Sequence, residues 1–206
     1  MNQGLLGGFS GKVGAVVGGT WKSIHYMRSL AASIHNPNTE KQRFQRGKFR
    51  VVVNFVKTMA PFIRVGYRGY EQRKTAFNAA ISYLMRHAVK EGPDGAVLDY
   101  KRVRVSQGSL TAAEGAAATV ADGKVLLTWT DNSGVGDAKG TDVVLALAFN
   151  KARGAAVYAL HAGVRAGGRA ELPLPAGWGG EPLAVYLGFR SADGEEVSNS
   201  LCVCDA

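Results

Sequence analysis

Cysteine is scarce in this chain of 206 residues, which holds only Cys202 and Cys204. The two lie one residue apart near the C-terminus, a spacing that matches no zinc or redox motif. We therefore expect two reduced thiols on a terminal strand and a reducing, cytoplasmic compartment. Long apolar runs are also missing, so no membrane-spanning helix is predicted. The N-terminus lacks the basic and apolar regions of a secretory signal, so none is expected.

Acidic residues are scarce in the first half of the chain. Residues 1–110 hold 18 Lys and Arg against 5 Asp and Glu, a net charge of +13, whereas residues 111–206 hold 7 against 11, a net charge of −4, and the two sum to the +9 of the whole chain. The shortage of carboxylates argues against a two-carboxylate active site in the first half. The asymmetry predicts two regions with different roles.

A phosphate-binding loop is missing from the glycine-rich stretch "GLLGGFSGKVGAVVGG", residues 4–19. A P-loop needs Gly five residues before its Gly-Lys pair and a hydroxyl directly after it, but Leu6 and Val13 occupy these positions. A dinucleotide-binding G-x-G-x-x-G is missing as well. The stretch instead predicts a β-hairpin with strands at about 11–17 and 20–28, joined by a tight turn at Gly18-Gly19.

Clusters typical of catalytic or metal sites are also missing. The loop at 131–142 offers Asp131, Ser133 and Asp142 at calcium-loop positions, but Val135 stands where a fifth-position oxygen ligand is needed, and a turn-rich loop between strands explains these residues. No Gly-x-Ser-x-Gly nucleophile elbow is present. The four histidines are dispersed along the sequence: His25, His35, His87 and His161. We predict no enzyme, no cofactor, no metal and no small-molecule substrate.

Two helices are predicted after the hairpin. Asn36-Pro37 interrupts regular structure, and Thr39 with Gln42 forms a capping box for a helix from about Glu40 to Met59. A second helix is predicted from about Tyr70 to Lys90, ended by "EGPDG". After it, "AVLDYKRVRVSQGSL" alternates apolar and basic residues and predicts an exposed strand with Val103 and Val105 on one side and Arg102 and Arg104 on the other.

The remainder of the chain has an all-β pattern. Residues 111–123, "TAAEGAAATVADG", are small and low in complexity and are predicted as a linker. Residues 124–206 then contain six short apolar runs separated by turn residues, including Asp193-Gly194, and predict a β-sandwich. Trp129 is expected as the buried aromatic of an early strand. The predicted fold class is therefore α+β: a basic region with a hairpin and two helices over 1–110, followed by the sandwich.

Two candidate interaction sites follow from this organisation. The hairpin exposes residues that could add to a neighbouring sheet edge, and its candidate self-association residues are Val13, Val16, Val17 and Trp21. The basic residues predict a polyanion-binding surface, with the alternative of a solvated helix face that pairs with an acidic subunit. The principal candidates are Lys41, Arg43, Arg46, Lys48, Arg50, Arg73 and Lys74. Further cations of this surface are Arg64, Arg68, Arg86, Lys101, Arg102 and Arg104, with Tyr67 and Tyr70 as candidate stacking partners for bases.

Several segments carry a family resemblance: "GGFSGKVGAVVGGTWKSIHYMRS", "NPNTEKQRFQRGKF", "FNAAISYLMRHAV", "DYKRVRVSQGSL" and "TWTDNSG". In this order they resemble an uncharacterised family of similar length from Bacteroidota, a domain of unknown function with no established activity to transfer. The helix start, with Asn36, Pro37, Thr39, Gln42 and Arg46, is also similar to that of phage virion or tail proteins. Residues 172–200, with Tyr186 in the penultimate strand, resemble the later strands of a fibronectin type III domain.

The leading hypothesis is a non-enzymatic interaction or assembly protein of phage or mobile-element origin. In this hypothesis the hairpin and helices pack with other chains, and the partner is a protein or a second copy of the same chain. The alternative is nucleic-acid binding through the basic helices. A hydrolase or transferase has little support in the sequence.

Overall fold

The structure, a computed structural model, describes residues 9–31, 33, 37–70, 74–93 and 95–205. Two compact units divide at Thr39/Glu40, one over residues 1–39 and one over 40–206. The first contains three strands, β1 (Gly11–Val13), β2 (Val16–Trp21) and β3 (Ile24–Ser29). They form one antiparallel sheet in the order β1-β2-β3.

The position predicted for the turn of the hairpin is wrong. Gly18 and Gly19 lie inside β2, and the turns fall at residues 14–15 and 22–23. Lys22 and Ser23 both have positive φ, 47° and 66°, the geometry of a tight turn that matches strand twist. Glycine is needed at both positions because Phe9 and Tyr26 lie too close to the β2 backbone to leave room for a side chain. A Cβ at Gly18 would lie 2.3 Å from the Phe9 carbonyl oxygen, and one at Gly19 would lie 2.9 Å from the Tyr26 ring.

The second unit begins with three helices, α1 (Glu40–Lys57), α2 (Ala60–Gly66) and α3 (Ala76–His87). The first predicted helix is confirmed, with Val52, Phe55 and Val56 on its buried face. The second predicted helix begins six residues later than expected. The reason is local: the Thr75 side chain accepts a hydrogen bond from the Asn78 backbone N–H and caps α3, as threonine at a helix start does.

A short hairpin and an extended segment follow α3. Strands β4 (Val89–Gly92) and β5 (Gly95–Leu98) pair with each other, and a 3₁₀ turn covers Tyr100–Arg102. The exposed strand predicted over 96–110 is therefore wrong beyond Leu98. The predicted alternation is confirmed, since Val103 and Val105 are buried. In place of a strand ladder, the backbone N–H groups of residues 105–107 donate hydrogen bonds to the Ser200 hydroxyl and to the Gly66 carbonyl at the end of α2.

The predicted β-sandwich is confirmed. One sheet contains β6 (Glu114–Ala121), β7 (Lys124–Thr130) and β10 (Arg169–Pro173) in the order β10-β7-β6. The other contains β8 (Val143–Asn150), β9 (Ala155–Ala159), β11 (Leu183–Arg190) and β12 (Leu201–Asp205) in the order β12-β11-β8-β9. All six predicted strand runs are present. The Trp129 side chain is buried between the sheets, with its ring centroid 5.7 Å from that of Phe189.

Residues 111–123 differ from the linker that we predict from their composition. Residues Glu114–Ala121 form β6, which pairs with β7 except at an irregularity between Glu114 and Ala117. Ala116 and Ala118 are half-buried against the sandwich core. Small side chains are sufficient for close packing at the edge strand of the sandwich. Because alanine gives only a weak alternation of apolar and polar residues, the sequence of this strand resembles a linker.

The helices form a third layer on the four-stranded sheet. Alternate residues of β8 face opposite sides: Val144, Ala146 and Ala148 face the three-stranded sheet, and Leu145, Leu147 and Phe149 face the helices. Aromatic contacts hold this second core together, with Phe55 against Phe149 at 4.7 Å between ring centroids. Each such pair contributes about 0.5–1.5 kcal/mol beyond its buried area. The basic helices and the acidic sandwich are therefore one packed body.

Candidate interaction surfaces

The N-terminal sheet exposes apolar side chains on both faces. Cross-strand pairing places Trp21 opposite Ile24, Gly19 opposite Tyr26, and Val17 between Lys12 and Arg28. Because partners directly opposite share a face of a sheet, and residues two apart along a strand do so too, these seven residues form one face. We call it the Trp21 face: Lys12, Val17, Gly19, Trp21, Ile24, Tyr26 and Arg28.

The Trp21 face has an apolar end and a basic end. Trp21, Ile24 and Tyr26 are 56%, 68% and 49% exposed. Lys12 and Arg28 lie at the other end, each across from Val17. Aromatic and arginine side chains are the residue types that most often carry the binding energy of protein interfaces.

The predicted self-association residues divide between the two faces of this sheet. Val17 and Trp21 belong to the Trp21 face, whereas Val13 and Val16 pair with each other on the opposite face. That opposite face also carries Met27, which is 71% exposed. The alternation of side chains along the strands therefore places the four predicted self-association residues on two faces and not on one. The structure also adds Ile24 and Tyr26 to the Trp21 face, and neither was predicted from the sequence.

The predicted polyanion residues lie mainly along α1. Lys41, Arg43, Arg46 and Arg50 are exposed, and Lys74 is exposed before α3. Lys48 is half-buried because its ammonium lies 4.8 Å from the centre of the Phe44 ring. Arg73 falls outside the described residues. Exposed Phe49 shares a groove with Arg46, Arg50 and Lys57, whereas Glu40 and Glu91 line the neighbouring groove with Lys41 and Arg43.

A separate group of cations meets in a cleft of about 510 Å³. The end of α3 supplies Arg86, the 3₁₀ turn supplies Lys101 and Arg102, and the extended segment supplies Arg104. We call this the basic cleft. Its other lining residues are Tyr83, His87, Val103, Asn199, Ser200, Leu201 and Cys202, so no Asp or Glu is among the described residues that line it.

Buried serines hold the extended segment that carries Arg104. The Ser200 hydroxyl accepts a hydrogen bond from the Val105 backbone N–H at 2.8 Å, and the Ser106 hydroxyl donates to the Ser198 carbonyl at 2.8 Å. Tyr67 donates its hydroxyl proton to the Arg104 carbonyl at 2.9 Å. Because each buried polar group has a partner, the segment is fixed without a strand ladder. The wall of the basic cleft is therefore rigidly placed.

Aromatic rings lie next to the cations in the basic cleft. The Arg104 guanidinium lies over the Tyr83 ring at 5.3 Å from its centroid, and it donates a hydrogen bond to the Asn199 side-chain oxygen at 3.3 Å. The ring centroids of Tyr83 and His87, one helical turn apart, are separated by 4.7 Å. His87 is exposed. Stacking of a cation on a ring orients the guanidinium and leaves its outer N–H groups to bind an anion.

The thiol in the basic cleft is not activated. Burial raises the pKa of the Cys202 thiol to about 11, and the nearby Asp205 carboxylate acts in the same direction. Since the thiolate is the reactive form of cysteine, this group stays protonated near neutral pH.

The acidic residues of the 131–142 loop are engaged with protein groups. Hydrogen bonds from Ser133 lower the pKa of Asp131, and hydrogen bonds from Thr111 lower the pKa of Asp137. Asp142 is buried and forms an ion pair with Arg165. Among the described residues, no group of three His, Cys, Asp or Glu side chains lies close enough to hold a metal ion.

The described helices were compared with the length and apolar character of a membrane-spanning helix. Within the described parts of the chain, no helix combines the length and the apolar character needed to cross a bilayer.

These features define a mixed α+β protein in which a helical layer packs on a β-sandwich, and a three-stranded N-terminal sheet belongs to a separate compact unit. The chain belongs to the protein family described as "Family of unknown function (DUF6266)", whose model matches residues 8–204. The matched range includes both compact units, which confirms the predicted membership of an uncharacterised family over nearly the whole chain. No curated protein and no solved structure matches the chain.

Proposed function

We propose that this protein is a non-enzymatic assembly protein whose N-terminal sheet docks on another copy of the same chain through the Trp21 face. The observation that carries the proposal is the lack of a core in this sheet. Within residues 9–31, Gly18 is the one buried residue, and all six residues of β3 are exposed. A sheet of three short strands needs a buried apolar face to be stable. Docking on a partner provides that burial.

Charge supports a second copy as the partner. Residues 1–39 contain Lys12, Lys22 and Arg28 and no Asp or Glu, whereas residues 111–206 carry a net charge of −4. A basic sheet is attracted to the acidic sandwich of a neighbouring copy and is repelled by a second basic sheet. The resulting contact joins two different surfaces. Repeated head-to-tail contacts of this kind make rings or filaments.

An origin of the chain among phage or mobile-element proteins is part of the same proposal. The resemblance of the helix start to phage virion or tail proteins supports an origin among proteins that assemble by repeated contacts, whereas the Bacteroidota family has no established activity to transfer. A sheet edge or face presented by a separate N-terminal unit is a device by which subunits join a neighbour.

Light scattering coupled to size-exclusion chromatography tests this proposal. We expect the full chain to form multimers that grow with concentration and persist in high salt, because burial of apolar side chains carries the contact. The double variant Trp21→Ser/Ile24→Ser should run as a monomer. Its matched control, Val13→Ser/Met27→Ser, changes two exposed apolar residues on the opposite face and should remain multimeric.

Two outcomes contradict the proposal. A full chain that stays monomeric over the whole concentration series excludes self-assembly. Equal loss of multimers in both double variants excludes the Trp21 face as the docking surface. Circular dichroism of the variants should retain the spectrum of the parent chain, because the helices and sandwich lie in the other compact unit.

A further inference from the structure

We propose that the basic cleft is a binding site for single-stranded nucleic acid, with Arg86, Lys101, Arg102 and Arg104 on the phosphates and His87 stacked on a base. This inference is independent of assembly through the Trp21 face. It also moves the nucleic-acid site away from α1, where the sequence places it. The argument depends on charge, on unused hydrogen-bond donors and on the neighbouring rings.

The first argument is the concentration of positive charge. Four cations from α3, the 3₁₀ turn and the extended segment line one cleft, and no carboxylate is among its described lining residues. Asp99, outside the lining, lies 3.8 Å from the Arg102 guanidinium. The groove of α1 that contains Glu40 and Glu91 lacks this uniform charge. A cleft lined by one sign of charge focuses the field and raises the local concentration of an anionic ligand.

The second argument is that these cations have donors to spare. The side chains of Arg86 and Lys101 form no hydrogen bond or ion pair with any residue in the described part of the chain. Arg104 uses one guanidinium nitrogen on Asn199, and its orientation is fixed by Tyr83. Arginines with free N–H groups bind phosphate oxygens in a two-pronged geometry.

The third argument concerns the class of polyanion. Tyr83 contacts both the Arg104 guanidinium and the His87 ring, and His87 is exposed at the surface. An exposed ring beside phosphate-binding cations is the arrangement by which proteins hold unpaired bases, since every base has a face to stack. The bases of a duplex are stacked on each other and cannot use such a ring. The cleft therefore fits a single strand better than a duplex or an acidic peptide.

Fluorescence anisotropy of the full chain with a labelled oligothymidylate tests the inference. Four phosphate contacts to a single strand predict a slope of log K against log salt of about −2.8, so that the dissociation constant rises about 50-fold between about 50 and 200 mM salt. The variant Arg86→Gln/Arg102→Gln removes two contacts and should halve the slope to about −1.4. Its matched control is Arg43→Gln/Arg50→Gln on α1, which has the same charge change and should keep the parent slope.

Stacking is tested by a separate substitution. His87→Ala should weaken binding of the oligothymidylate by about fivefold or more, the range for removal of one stacked base. His87 and the exchanged arginines Arg86 and Arg102 are exposed, so the thermal unfolding of these variants should match that of the parent. A duplex of the same length and polyglutamate of the same charge serve as competitors and should compete poorly.

Four results would overturn the inference. The first is that the oligothymidylate does not bind at low salt, and the second is that the cleft variant and the α1 control lose affinity equally. The third is an unchanged affinity of the His87 variant. The fourth is competition by the duplex or by polyglutamate that is as strong as competition by the single strand.

Discussion

Arg165 and Asp142 form an ion pair in which both side chains are fully buried, with 3.0 Å between Nε and Oδ2. The guanidinium also donates to the Asn132 side-chain oxygen at 2.7 Å and to the Thr111 carbonyl at 2.8 Å. Its carbon lies 3.8 Å from the centre of the Phe189 ring. One arginine thus connects the 131–142 loop, the start of β8 and the segment before β6. This is a structural role for a loop whose acidic residues resemble calcium ligands in sequence.

We predict that Arg165→Met lowers the free energy of unfolding by about 3–5 kcal/mol, because it leaves the Asp142 carboxylate buried without a cation. The measurement is urea unfolding followed by circular dichroism. Arg169→Met is the matched control, since Arg169 is exposed four residues later, and it should change stability by less than about 0.5 kcal/mol. Similar losses in the two variants would contradict the role of the buried pair.

A second prediction concerns two helical glycines. A Cβ at Gly66 would lie 2.4 Å from the Val105 carbonyl oxygen, a backbone atom of the segment beside the basic cleft. Gly66→Ala should therefore lower stability by about 1–3 kcal/mol through overpacking. At Gly47, in α1, a Cβ would meet no atom of another described element within 4 Å, and Gly47→Ala should raise stability by about 0.5–1 kcal/mol. Chemical denaturation of both variants checks the opposite signs, and a loss at Gly47 would refute the helix-propensity argument.

The sandwich and α1 could be predicted from the sequence because their patterns are strong. Strands β8 and β11 are nearly continuous apolar runs, and in the structure they are buried on both faces. Such a run indicates a buried strand but not what covers its second face. The helical layer was therefore not predicted. The Ala-rich β6 was not predicted as a strand because small side chains carry little periodicity.

The candidate site was predicted only in part because it depends on long-range contacts. All four cations of the cleft, Arg86, Lys101, Arg102 and Arg104, were among the predicted polyanion residues, but their proximity arises where the segment after β5 returns to the end of α3. Serines 198 and 200, far along the chain, fix that segment. Local spacing contains no information about such a contact. The Trp21 face was missed for a different, local reason: the turn falls at residues 22–23 and not at Gly18-Gly19, so that pairing with β3 brings Tyr26 across from Gly19.

A third prediction concerns stability at alkaline pH. Burial raises the pKa of the Tyr67 hydroxyl above its usual value of 10.0, and that of Tyr186 likewise. The folded state therefore keeps both groups protonated while the unfolded chain ionises above pH 10, so that stability should fall as the pH rises through about 10. Denaturant unfolding at a series of pH values measures this slope. Tyr67→Phe should make the slope shallower, whereas Tyr26→Phe, at a half-exposed tyrosine, should leave it unchanged. An unchanged slope in the Tyr67 variant would contradict the assignment.

The thiol that lines the basic cleft allows a fourth prediction, which separates a binding surface from a reactive site. With its pKa raised to about 11 by burial, Cys202 has very little thiolate at pH 8, and alkylation requires the thiolate. In a Cys204→Ser chain, where Cys202 is the remaining cysteine, iodoacetamide should react about tenfold or more slowly with the folded protein than with the same protein in denaturant. Mass spectrometry of timed samples gives both rates. Equal rates would mean that burial does not suppress the Cys202 thiolate, and a faster reaction in the folded protein than in denaturant would mean that the cleft activates its cysteine.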